Sequence, residues 1–93
     1  MLNDVKNYIE NLLKGSKEIA LEDVLLYGDK KLSAIISKKG YWASFEVLPN
    51  LEYDFTIIST KSEAIISSKS KKFEGLEQLY AEIKEDFNAF SGE

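Results

Sequence analysis

The chain of 93 residues contains no cysteine, no histidine and no arginine, and all twelve of its positive charges are lysine. Without cysteine there are no disulfides, iron–sulfur clusters, thiolate zinc sites or cysteine nucleophiles. Without histidine the side chain that titrates nearest neutrality is missing, and with it most general-base and transition-metal designs. Without arginine there is no planar fork to read phosphate or guanine bidentately. The five glycines stand apart from one another, so no glycine-rich loop exists to cradle a phosphate. These absences argue against an enzyme, and no cofactor or metal is expected. No apolar run approaches the roughly 18 residues of a membrane span. Met1-Leu2-Asn3-Asp4 lacks the basic region and apolar stretch of a signal peptide. The expectation is a cytoplasmic protein.

What is present is the balance of a folded domain: 44% hydrophobic and 30% charged residues, too apolar for a disordered tail. The length fits one domain over residues 1–93. The net charge of −4 is unevenly placed. Residues 1–73 are nearly balanced, whereas residues 74–93 hold six acids and one lysine. An acidic domain is repelled by nucleic acid and by anionic membranes, so neither is an expected partner; a basic protein is attracted.

Leu2, Val5, Ile9, Leu12 and Leu13 recur at steps of three and four and predict a helix over 3–14. Asn3 or Asp4 is placed to cap it, and Gly15 sits where a left-handed C-terminal cap would fall. Next come fifty residues of strand-type composition. Gly28-Asp29, Lys39-Gly40, Pro49-Asn50 and Lys61-Ser62 punctuate them, with no helical run between. That spacing predicts an antiparallel meander with strands near 18–27, 31–38, 41–48, 51–59 and 63–70. A second helix is expected over 75–90. Its apolar stripe is Leu76, Leu79, Tyr80, Ile83, Phe87 and Phe90, and its acidic face is Glu77, Glu82, Glu85 and Asp86. The fold class is α+β, in the order α-β-β-β-β-β-α, with both helices on one face of the sheet and the other face toward water.

The alternation of each strand assigns these two faces. In the fourth strand Tyr53, Phe55 and Ile57 point inward, and in the third Ala43, Phe45 and Val47 do. A two-residue turn at Lys39-Gly40 sets Ile36 against Ala43, Ala34 against Phe45 and Leu32 against Val47. A three-residue loop of Leu48-Pro49-Asn50, with Asn50 left-handed, pairs Val47 with Leu51, Phe45 with Tyr53 and Ala43 with Phe55. In the first strand Glu22 and Asp23 cannot both avoid the core in regular alternation, which points to a bulge or an edge position. On the outer face this register places Trp42 beside Thr56 and Ser37, Ser44 against Asp54, and Glu46 against Glu52. Like charges opposed across a pair destabilise a sheet. An exposed tryptophan among Glu46, Glu52 and Asp54 suits a Lys- or Arg-rich partner; a tryptophan half covered by an edge loop, with acids that solubilise the sheet, suits the same residues. Lys69, Lys71 and Lys72 form a small basic patch.

The strand Gly40-Tyr41-Trp42-Ala43-Ser44-Phe45-Glu46, the strand Leu51-Glu52-Tyr53-Asp54-Phe55-Thr56-Ile57-Ile58, a further short strand and a closing helix from Phe73 carry a resemblance. Over about residues 19–90 the chain resembles the TriTu-type immunity proteins of bacterial polymorphic-toxin and contact-dependent growth inhibition systems. Where that pattern has a glycine before the acidic residue of its second strand, this chain has Leu51. The resemblance implies an immunity protein that binds one cognate toxin domain and neutralises it by occluding its active site or substrate surface. The toxin is expected to be basic, with a nuclease one candidate. Trp42 would be the anchor beside Thr56, with Glu46, Glu52 and Asp54 supplying complementary charge and the acidic face of the last helix a second candidate surface. The alternative is a small acidic secretion or effector chaperone, or an adaptor domain.

Overall fold

A computed structural model describes residues 1–92. Helix α1 (Leu2–Lys14) is followed by strands β1 (Ala20–Tyr27), β2 (Lys31–Lys38), β3 (Tyr41–Val47), β4 (Glu52–Ser59) and β5 (Ile65–Lys72), and then by helix α2 (Leu76–Ser91). The strands form one open antiparallel sheet in the order β1-β2-β3-β4-β5, each beside its neighbour in sequence. This is the expected α+β meander. No helix among the described residues is long and apolar enough to cross a membrane.

Alternation builds the core. Leu32, Ala34 and Ile36 of β2, Ala43, Phe45 and Val47 of β3, and Tyr53, Phe55 and Ile57 of β4 are all buried on one face. Both helices cover that face. From α1 come Leu2, Val5 and Ile9, and from α2 Leu79, Ile83, Phe87 and Phe90. The helices also meet each other through Tyr8 and Tyr80, whose rings stack with centroids 4.4 Å apart. The helix ends depart from expectation. Met1 stands at the N-cap of α1 with no side-chain hydrogen bond, so neither Asn3 nor Asp4 caps it. Gly15 is right-handed (φ −85°), because its N–H returns to the Leu12 carbonyl and that of Ser16 to the Leu13 carbonyl in a final tight turn.

The β2–β3 register is the expected one, with Leu32 against Val47, Ala34 against Phe45 and Ile36 against Ala43. Its two-residue turn needs the positive φ that Gly40 adopts (+88°). The β3–β4 register differs by two residues: Val47 pairs with Tyr53, Phe45 with Phe55 and Ala43 with Ile57. The reason lies in the loop. Leu51 rather than Asn50 takes the left-handed conformation (φ +67°), and the hydrogen bond from Leu48 N–H to Glu52 C=O closes the hairpin one residue later at each end. A left-handed leucine costs about 1–2 kcal/mol. It is offset by the packing of the half-buried Leu51 side chain against the core and by an Asn50 side chain that accepts from the Glu52 N–H at 3.2 Å. A slip of two preserves which face each side chain takes, so the core assignment survives while every outer-face neighbour across β3 and β4 changes.

Strand β1 is at the edge and is also bulged, between Leu21 and Asp23. Glu22 is the extra residue, and this lets two consecutive acids both avoid the core: Glu22 accepts from the Ser37 hydroxyl at 3.1 Å and Asp23 lies opposite the outward Ile35. Strand β5 begins two residues later than expected because Glu63 turns left-handed (φ +55°) in the preceding loop. Glu63 is exposed, so packing does not offset its backbone cost. Glu63→Asn, a residue that tolerates this region, is expected to stabilise the fold by about 0.5–1 kcal/mol, read as a rise of several degrees in the melting midpoint by circular dichroism.

Candidate functional site

The face of the sheet opposite the helices is covered by nothing among the described residues. Its side chains fall into cross-strand rows. One row runs Ser37, Trp42, Ile58, Ile65; the next Ile35, Ser44, Thr56, Ser68; the next Ser33, Glu46, Asp54, Ser70; and Glu52 lies opposite Lys72 beyond it. From β2 to β5 the face is therefore graded. Its Trp42 end is apolar, its middle is small hydroxyls, and its far end is charged.

Trp42 is 49% exposed. It lines a shallow cleft with Ile58, Ser59, Thr60 and Glu63, so the β4–β5 loop flanks the indole without burying it. The expected grouping of Trp42 with Glu46, Glu52 and Asp54 is not what forms. Trp42 and Glu46 are four residues apart on β3, about 13 Å, and Trp42 faces Ile58 rather than Thr56. Thr56 faces Ser44 and meets the Ser68 hydroxyl at 3.4 Å. The like-charge pair is also different: Glu46 lies opposite Asp54, not Glu52. Two of these acids have side-chain partners, and the third has a lysine across from it in the ladder. Glu46 pairs with Lys31 at 3.3 Å, Asp54 accepts from the Ser70 hydroxyl, and Glu52 sits opposite Lys72. These are exposed contacts of little stabilising weight. The register still assigns to this face five carboxylates (Glu22, Asp23, Glu46, Glu52 and Asp54) against two lysines (Lys31 and Lys72). The surface is net acidic although Glu22, Glu46 and Asp54 have partners within the fold.

The second candidate surface, the acidic face of α2, changes more. Asp86 is buried (6% exposed), the one charged residue in the core among the described residues. It accepts a hydrogen bond of 2.6 Å from the buried Tyr53 hydroxyl and pairs with Lys69 at 2.6 Å. Lys69 also reaches Glu82, and Lys71 reaches Glu82 at 3.2 Å. Lys69 and Lys71 face the helices because they pair with the inward Phe55 and Tyr53. Two of the three lysines of the basic patch are thus engaged within the fold. Burial, reinforced by the hydrogen bond to Asp86 and the charges of Asp86 and Glu82, pushes the Tyr53 phenol far above its ordinary range, so it remains a donor. Lys69 holds the Glu82 carboxyl below its usual value against the opposing effect of burial, with Lys71 assisting. Burial works against the charge of Lys69, yet hydrogen bonds and charge from Asp86 and Glu82 leave its pKa raised. Glu77 and Glu85 remain exposed on α2.

A signal for the buried acid was present in the sequence. Leu79, Ile83, Asp86 and Phe90 stand at i, i+4, i+7 and i+11, which puts Asp86 on the apolar stripe itself. No family model, no curated protein and no solved structure matches the chain.

Proposed function

We propose that the protein is a bacterial immunity protein, which binds a cognate toxin domain through the uncovered face of its sheet and blocks the toxin's active site or substrate surface. The observation that carries this reading is a half-exposed tryptophan on a sheet face that no helix covers. Tryptophan dominates binding energy where it enters a partner's pocket. The excess of carboxylates on the same face favours a basic partner, through faster encounter and rejection of acidic competitors. The graded layout divides the labour: the Trp42 end supplies apolar contact and the Glu46–Asp54 end supplies charge steering.

This reading predicts an adjacent gene that encodes the toxin domain, and the test is co-expression with that domain, using Trp42→Ala and Glu46→Lys separately and together. Trp42→Ala is expected to weaken binding about 30-fold or more. Glu46→Lys is expected mainly to slow association and to reduce its salt dependence. Undiminished protection by the double variant, shown to be folded, would remove this face from the mechanism.

The apolar row of Trp42, Ile58 and Ile65 favours a second reading, a chaperone that holds an unfolded effector segment on the sheet. Binding of an isolated unfolded segment with little salt dependence would select it; tight, salt-sensitive binding of a folded domain selects immunity.

A further inference from the structure

The two edges of the sheet are built differently. Strand β5 carries Lys69, Lys71 and Lys72 among serines, and lysines on an edge strand discourage another strand from pairing there. Strand β1 carries no lysine, and its protection, the bulge with Glu22 and Asp23, is confined to its first half. Beyond its bulge, Asp23-Val24-Leu25-Leu26-Tyr27 is a regular five-residue stretch with no strand on its free side. Leu25 is 43% exposed and Tyr27 53% on the outer face. Leu26 is 39% exposed on the inner face, although it pairs with the fully buried Leu32. The helices stop short of it.

We infer that β1 is a self-association edge, where a second copy of the chain adds antiparallel about a two-fold axis through Leu25 to make a continuous ten-stranded sheet. The register follows from chemistry. Two-fold antiparallel pairing must match inward with inward residues, so the axis passes through a residue. Through Asp23 it would oppose the two Asp23 carboxylates. Through Val24 it would set Asp23 against Leu25 and the bulged Glu22 against Leu26. Through Leu26 it would reach the β1–β2 turn after one further pair. Through Leu25 every pair is complementary. Leu25 meets Leu25 of the second copy on the outer face, and Val24 meets Leu26 on the inner face, which covers the leucine the helices leave open. The phenol of Tyr27 is placed to donate to the Asp23 carboxylate, with the two acids held apart at opposite ends of the pairing. Hydrogen-bond complementarity and the separation of like charges thus select the same register as apolar contact. Both Trp42 surfaces remain open, so the inference is independent of what the outer face binds.

The experiment is sedimentation equilibrium on the full chain across a concentration series. The expected result is a monomer–dimer equilibrium ending at about 21 kDa, two copies of the 10.6 kDa chain. Leu25→Lys, which opposes two lysines at the axis, is expected to raise the dimer dissociation constant at least about tenfold with its circular dichroism unchanged. Ser68→Lys on β4's other neighbour, β5, is expected to leave it unaltered. Because the chain has no cysteine, Leu25→Cys is expected to give a disulfide-linked dimer on mild oxidation and Asp23→Cys to give far less. A chain monomeric throughout the series, a dimer indifferent to Leu25→Lys, or equal cross-linking by the two cysteine variants would overturn the proposal.

Discussion

Asp86→Ala protein is expected to melt about 10–20 °C below the parent, corresponding to a loss of about 2–4 kcal/mol. The substitution removes the acceptor of the buried Tyr53 hydroxyl and one of the two carboxylates that hold Lys69. An unsatisfied buried hydroxyl costs about 1–3 kcal/mol, and a partly buried ammonium that loses a partner adds to it. Tyr53→Phe separates the contributions. It deletes the donor and leaves Asp86 paired with Lys69, so its expected cost is about 1.5–3 kcal/mol, the range for a hydrogen bond to a charged group. Thermal and urea unfolding of the two single variants and the double variant measure the coupling directly. A double variant no worse than Asp86→Ala alone is the expected outcome, because the hydroxyl has nothing else to bond. Equal stability of Asp86→Ala and the parent would show that the network carries no weight.

Phe45→Ala is expected to cost about 3–5 kcal/mol, enough to leave a domain of this size partly unfolded at 37 °C. Phe45 is fully buried at the centre of the middle strand. Its ring lies 4.9 Å from that of Phe55 and 6.4 Å from that of Tyr53, so one truncation opens a cavity under both neighbours. The measurement is the urea midpoint. An unchanged slope with a lowered midpoint marks cavity formation in an otherwise intact fold; a lowered slope marks loss of the cooperative core. Phe45→Leu, which keeps most of the volume, is expected to recover over half the loss.

Alternation and turn residues carried most of the architecture. The odd positions from Tyr53 to Ile57 and the even positions from Leu32 to Ile36 allow only one buried face, and Lys39-Gly40 allows only one tight turn. What escaped was whatever depends on which of two adjacent residues adopts a rare backbone state. Asparagine enters the left-handed region more easily than leucine, so intrinsic preference favours Asn50. Tertiary packing of Leu51 and the Asn50 side-chain hydrogen bond reverse that preference, and the outer-face pairing moves by two as a result. The bulge at Glu22 was foreshadowed by two acids in succession, because period-two alternation has no place for both. Asp86 was concealed by its type: a carboxylate among four acids reads as solvated surface until its partners Tyr53 and Lys69 arrive from strands distant in sequence. Of the expected outer-face residues, Trp42 and Glu46 do share one surface, but at opposite ends of it.

The meander order has a kinetic consequence. Every strand hydrogen-bonds only to its neighbours in the chain, so the whole sheet can assemble hairpin by hairpin without closing a long loop, each step taking about 1–10 μs in isolation. The one closure that spans nearly the full chain is the meeting of α1 with α2 at Tyr8 and Tyr80. That contact covers a sheet whose inner face is otherwise open to solvent. In any state in which the sheet forms before the helices dock, Phe45 and its neighbours are exposed, and such a state is open to association with other copies of the chain.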